Sequence, residues 1–256
     1  MRRIDVPQGF FAGIAAGEVL TLPEEQAHYA RDVLRMDVGE PLELFDGQGK
    51  VARAHITEAG EPFRVKVDEI FTSELGESPL RTVLFQAIPK GKRWDWILEK
   101  ATELGVDAVV PLETEFTVVR LPPSRVARRL ARWEKIVASA ARQCERAITP
   151  SIAAPVSIEE AIDRSDRDLD LVAHPGEGLP SPDKALGDHP DTIRSVGIWI
   201  GPEGGFSDEE VEMMVEAAMI QVTLGPRILR ADTAGITALT LAQAAAGDLG
   251  ASLSRP

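Results

Sequence analysis

Residues 198–210 read IWIGPEGGFSDEE, and the reading of this stretch decides the fold class. The run VGIWI at 196–200 carries no polar side chain, as a strand covered on both faces of a parallel sheet does. It enters a turn holding Gly201, Gly204 and Gly205, stiffened by Pro202, and then Ser207 and Glu210 at the spacing of a capping box, which starts a helix. Strand, glycine-rich turn and capped helix in succession build an α/β domain. Backbone freedom at the three glycines lets a ligand come close, so Ile200, Gly201, Pro202, Gly204 and Gly205 are candidates for a cofactor cradle. The alternative is a tight strand-to-helix turn with no ligand. Neither a phosphate-binding loop with Lys-Ser/Thr nor the dinucleotide fingerprint is present in these residues.

Downstream, LGPRILRADTA at 224–234 repeats the order of strand, loop and helix. If the two loops face one pocket, Leu224, Ile228 and Leu229 supply apolar walls for an adenine, and backbone groups beside Gly225 read its edge. Thr233 at the helix start completes the candidate cofactor-binding set, and Arg230 is placed to hold a charged or carbonyl group. The alternative puts Ile228 and Leu229 in the core and Arg227 and Arg230 on the surface.

Upstream the same rhythm begins at residue 81. TVLFQAI, RWDWILEKATELG and AVVPL alternate strand and helix, a long helix follows from about Ser124 to Arg146, and LDLVAH at 169–174 and IQVTL at 220–224 read as further strands. A last helix is expected from about Thr233 to Ala246. Before residue 72 the pattern is different. LPEEQAHYARDVLRMD at 22–37 predicts one helix, PLELFDGQGKVARAHIT two strands around an Asp46-Gly47 turn, and FRVKVDEIF a third. Polar TSELGESP at 72–79 reads as the linker, giving a β-rich domain over 1–72 and an α/β domain over 80–256.

No run of about 20 apolar residues spans a membrane and the N-terminus lacks the apolar core of a signal peptide, so a cytoplasmic protein is expected. The single cysteine, Cys144, reads as packing. His28 and His174 have no partners at metal-ligand spacing, so no metal is expected and both read as structural histidines. Net charge is −13, which taken alone argues against a polyanionic partner. Yet residues 81–150 carry 13 basic and 8 acidic side chains, a local surplus that is either a binding face or a solvated basic helix. Arg142 and Arg146, one turn apart at the end of the long helix, are candidates for phosphate contact, with Lys92, Arg93, Arg2, Arg3 and Arg35. Trp94 and Trp96 either stack on bases or are buried at a helix start.

HYARDVLRMDVGEPLELFDGQG, EKATELGVDAVVPLETE, RWEKIVASAARQCERAITPSI, IGPEGGFSDEE and LGPRILRADTA, in this order, resemble the uridine-N3 methyltransferases of small-subunit ribosomal RNA, within the SPOUT superfamily. The likeness covers nearly the whole chain, and its last two segments are the most specific. It implies a PUA-like RNA-binding β-barrel at the N-terminus, a C-terminal α/β methyltransferase domain tied in a trefoil knot, a homodimer, S-adenosylmethionine as cofactor, and 16S rRNA or the 30S subunit as partner. The chain departs from the family at Phe116, where an Arg often follows ETE, at Arg142 and Ile148, and at Asp232 in place of Glu.

Methylating uracil N3 requires removal of its proton, so a base or an anion stabiliser is needed. Glu203 is the candidate for base or for orienting the uracil, and Arg230 for stabilising charge on its oxygens. Two rival functions are a ribose 2'-hydroxyl methyltransferase of the same superfamily and a ribosome-assembly factor that binds RNA without chemistry. The closing helix, TAGITALTLAQAAAG, reads as too apolar for a solvent face, which favours burial in a dimer interface.

Overall fold

Alternation of buried and exposed side chains along residues 41–72 builds a sheet with one apolar face. The computed structural model describes residues 1–164, 166–187 and 192–251. Its first elements are β1 (Arg2–Asp5), β2 (Val19–Thr21), α1 (Glu24–His28), β3 (Pro41–Phe45), β4 (Lys50–Ala59) and β5 (Phe63–Thr72). The five strands form one sheet in the order β1-β3-β4-β5-β2, antiparallel except where β1 runs parallel to β3. Ile4, Leu42, Leu44, Ile56, Phe63 and Val65 pack its core with Ala27 and Ala30. The Asp-Gly turn forms as expected between β3 and β4, where the Asp46 carboxylate accepts the Gln48 N–H at 2.8 Å and the Lys50 N–H at 3.1 Å. The helix expected over 22–37 is shorter. It begins at Glu24, passes into one π turn at Tyr29–Val33, and stops before Arg35, whose φ of 53° is left-handed.

The second sheet comes from β6 (Arg81–Ala87), β7 (Ala108–Glu113), β8 (Ser151–Ile152), β9 (Val156–Ser157), β10 (Leu169–Ala173), β11 (Ser195–Ile200) and β12 (Ile220–Val222). All its pairings are parallel, in the order β12-β10-β11-β6-β7-β8, with β9 also on β7. Every residue of β11 is buried, which is why its sequence is apolar without alternation. Helices cover both faces: α2 (Arg93–Glu103), α3 (Pro123–Gln143), α5 (Pro182–Gly187) and α7 (Ala231–Ala246) contribute to one core, and α4 (Ile158–Asp163) and α6 (Asp208–Glu216) to the other. Among the described residues no helix is long and apolar enough to cross a membrane.

The chain divides into two compact units, residues 1–77 with 141–149 and residues 78–140 with 150–256. The stretch 141–149 that joins the first unit corrects the expectation of a helix reaching Arg146. Glu145 takes a φ of 66° and the Arg146 N–H closes back on the Ala141 carbonyl at 3.0 Å, a Schellman ending that stops α3 at Gln143. Arg146 therefore leaves the helix face. Its side chain is 2% exposed and its guanidinium holds Glu77 at 2.7 Å. Arg142 pairs with Asp5 and lies over the Tyr29 ring, 4.4 Å from its centroid. Arg3, 7% exposed, pairs with Glu43 at 3.3 Å and stacks on Phe45. Burial lowers its guanidinium below the ordinary arginine value, against the field of Glu43. Arg3, Arg142 and Arg146 are thus structural cations of the first unit, and a phosphate-binding role for them is withdrawn. Arg2 and Arg35 remain exposed.

Two expectations follow from these contacts. Arg146→Ala leaves the Glu77 carboxylate buried without its cation and should destabilise the fold by about 3 kcal/mol, read as a lower urea midpoint. Before β10, Asp168 accepts the Arg194 N–H at 2.8 Å, the Ser195 N–H at 2.8 Å and the Ser195 hydroxyl at 2.9 Å, and these donors, that of Arg194 foremost, hold its carboxyl below the usual aspartate value. A carboxyl lowered by folding stabilises the fold above its unfolded value and loses that contribution as pH falls through the lowered one. Asp168→Asn should therefore show a shallower fall of melting temperature than the parent protein below about pH 4.

Candidate active site

In an open parallel sheet ligands gather outside the carboxyl ends of the strands, and here β12, β10, β11, β6 and β7 all end at one edge. The loops leaving them divide into two groups. On the outer side, the segments after β10 and β12 enclose an open cavity of about 270 Å³, walled by Ala173, Leu224, Ile228, Leu229 and Ala234 and bordered by residues 174–176. The His174 N–H donates to the Val222 carbonyl at 3.1 Å, which joins the end of β10 to that of β12, and the Gly225 N–H donates to the Thr223 hydroxyl at 3.2 Å within the second loop. Gly225 has a φ of 105°, a conformation L side chains rarely adopt. Ile228 is 91% exposed at the rim, an apolar side chain with little of its own chain to cover it.

The glycine loop lies on the other side. Glu203 accepts the Lys90 N–H at 2.9 Å, which ties the loop after β11 to the loop after β6. Glu210 closes the expected capping box with Ser207 and also accepts the Glu115 N–H at 2.7 Å, bringing in the loop after β7. A side chain at Gly201 would press its Cβ to 2.9 Å from the Gly205 carbonyl carbon, and one at Gly204 would meet Phe116. These glycines serve close packing of the loop on itself and on its neighbours. Ile200 and Pro202 are buried beneath it.

Strand order explains the separation. One expectation is that the two glycine loops face one pocket; in the sheet β10 lies between β11 and β12, so its own loop at 173–176 also reaches this edge. Of the candidate cofactor residues, Leu224, Gly225, Ile228 and Leu229 line the cavity; Ile200, Gly201, Pro202, Gly204, Gly205 and Thr233 are not part of its lining. His174 and its neighbours were missed because a histidine at the end of an apolar strand carries no ligand signature. Between the two sides stands the start of α7. The buried Gln86 amide donates to the Ala231 carbonyl at 2.9 Å, and Arg93 pairs with Asp232 at 3.3 Å. Arg230, the residue before the helix, is exposed, as is Lys92. Trp94 is buried, whereas Trp96 is 43% exposed.

An RNA methyltransferase domain matches residues 76–243, and an RNA methyltransferase PUA domain matches residues 22–68. The chain is 32% identical to ribosomal RNA small subunit methyltransferase E of Buchnera aphidicola, over 89% of this chain and 88% of that one. It belongs to that family. Among solved structures it is similar to the methyltransferase E of Neisseria gonorrhoeae bound to S-adenosyl methionine, with a TM-score of 0.84 and 33% identity over 97% of this chain and 99% of the other. A methyltransferase from Legionella pneumophila in complex with the same cofactor superposes with a TM-score of 0.85 and 35% identity, over 96% and 98% of the two chains.

The cavity of this methyltransferase suits such a cofactor in kind. Apolar walls at Leu224 and Leu229 fit a purine. Ile228→Ala removes a side chain that the fold does not use. It should leave the melting temperature of the free protein unchanged while weakening S-adenosylmethionine about tenfold by calorimetric titration, some 1.4 kcal/mol. Unaltered affinity would place the cofactor elsewhere.

Proposed function

We propose that this chain transfers the methyl group of S-adenosylmethionine to N3 of a uridine in 16S rRNA, as a homodimer acting on the 30S subunit. The observation that carries the proposal is an apolar cavity suited to an adenosyl group at the same sheet edge from which the anchored Glu203 loop leaves. S-adenosylmethionine, when bound, supplies an electrophilic methyl group. The chain's own residues must position the uracil and manage the N3 proton. One Glu203 oxygen accepts the Lys90 N–H, which fixes the carboxylate and directs the other oxygen to the uracil. Arg230, exposed at the start of α7, holds the charge that develops on the uracil oxygens.

A dimer is supported by α7, although less directly than its composition implied. Ala234, Gly235, Ala238, Leu239 and Ala242 are covered within the chain itself, so much of the helix's apolarity is met there. Leu241, Ala244 and Ala245 keep an accessible apolar surface for a second copy. We propose also that the C-terminal domain follows the knotted course its resemblance implies, and that the PUA-like domain contributes RNA contacts through Arg2 and Arg35.

The decisive experiment incubates the protein with labelled donor and either 30S particles or bare 16S rRNA, then identifies the modified nucleoside. 3-Methyluridine from 30S particles is expected. A ribose-methylated nucleoside would reassign the reaction, and binding without transfer would make the protein an assembly factor. Glu203→Gln should lower kcat about 100-fold with little change in cofactor affinity, the loss typical of a displaced proton acceptor.

A further inference from the structure

Helix α3 carries Arg125, Arg128, Arg129 and Arg132 at intervals of three and four residues, which stacks their guanidinium groups on one face. All four are exposed and together line a shallow concavity. Arg132 is held by a bidentate pair with Asp95, one of its bonds 2.9 Å long. Among the described residues, no carboxylate pairs with Arg125, Arg128 or Arg129. The helix as a whole has five arginines and one lysine against a single acid, Glu134. Like charges at these spacings repel, and Arg125 stands in the first turn, where the helix dipole disfavours a cation. A solvated face would interleave Glu with Arg; this one is arranged for an external anion.

Guanidinium groups suit phosphate oxygens, which they grip in pairs. The inner end of the stripe leads to the candidate site. Asp95, which anchors Arg132, lies in the first turn of α2, two residues beyond the Arg93 that pairs with Asp232 at the start of α7. Trp96, which follows Asp95 in the same helix, has an exposed ring, and Lys92 is exposed at the head of that helix. Cations at phosphate-binding spacing, with an exposed aromatic ring on the helix that anchors Arg132, are the parts of a single-stranded nucleic-acid track. The geometry points to Arg125, Arg128, Arg129 and Arg132, with Trp96, as the track that seats the RNA backbone next to the target uridine.

This assignment rests on the reading of the protein as an rRNA methyltransferase, and the test keeps the two apart. The triple variant Arg125→Ala/Arg128→Ala/Arg129→Ala, in the full chain, is measured for binding to 30S particles and to bare 16S rRNA across a salt series. Each lost phosphate contact removes roughly 0.7 to 0.9 from the slope of log affinity against log salt, so a drop of about two in slope and at least tenfold in affinity is expected. Cofactor affinity and melting temperature should not move. The triple Lys variant should keep the slope. Trp96→Ala should cost about tenfold in affinity with the slope intact. An Ala variant with parental affinity and slope overturns the track; one whose oligomeric state changes while RNA binding stays the same gives the stripe to a second copy and also overturns it. Methyl transfer by the unmodified protein is scored on the same particles, so a failed reaction with an intact salt effect rejects the function and leaves the track standing.

Discussion

The pairing of β11 with β6 is the constraint on which the rest depends. Six residues of each strand match without a shift, from Ser195 against Arg81 to Ile200 against Gln86. Because the strands are parallel and end level, the loop after one must lie beside the loop after the other. That is what lets the Glu203 carboxylate reach the Lys90 N–H. The last paired residue on β6, Gln86, also holds the Ala231 carbonyl, so the same register fixes where α7 begins and with it Arg230 and Asp232. Gly235 keeps this contact possible, since a Cβ there would collide with the Gln86 side-chain oxygen. A slip of one residue would turn the Gln86 side chain to the other face of the sheet and release α7.

Much of this was legible in the sequence for a physical reason: buried parallel strands need uninterrupted apolar runs, and helices need capped starts. VGIWI, TVLFQAI and the Ser207–Glu210 box announced themselves in that way. Strand order is different, because it is set by which apolar faces pair in space. Only the structure placed β10 between β11 and β12, and that one fact added the 173–176 loop to the cavity walled by Leu224, Ile228 and Leu229. The ending of α3 was illegible for another reason. Its left-handed residue is Glu145, not the glycine that usually signals such a stop, so Arg146 read as the next turn of a helix face.

Charge shows the same division between what composition states and what position decides. The surplus of cations at 81–150 was visible, but its members have opposite fates. Arg142 and Arg146 are used inside the first unit, against Asp5 and Glu77, where their worth lies in neutralising carboxylates. Among the described residues, the cations at 125, 128 and 129 have no carboxylate partner. A net charge of −13 is therefore no obstacle to a polyanionic partner, because screening confines each interaction to within about 10 Å and the partner meets local charge.

Two features of the free chain are unfavourable as they stand. One is Ile228, 91% exposed, whose full burial is worth roughly 1.5 to 3 kcal/mol. The other is a helix face of like charges. Both lie on the unit that carries the second sheet, on elements that reach its carboxyl edge directly or through the Arg132–Asp95 pair. Folding alone relieves neither, whereas an apolar surface against Ile228 would relieve the first and a polyanion along α3 the second. Free energy withheld from the folded state in this way becomes available on binding, so on the proposed reading cofactor and RNA affinity would draw on separate residues. The start of α7 is where they meet, since Ala231 is held by the sheet, Asp232 by Arg93, and Leu229 faces the cavity. On the proposed reading, a shift of that turn would reach both the cavity wall and the helix that anchors Arg132.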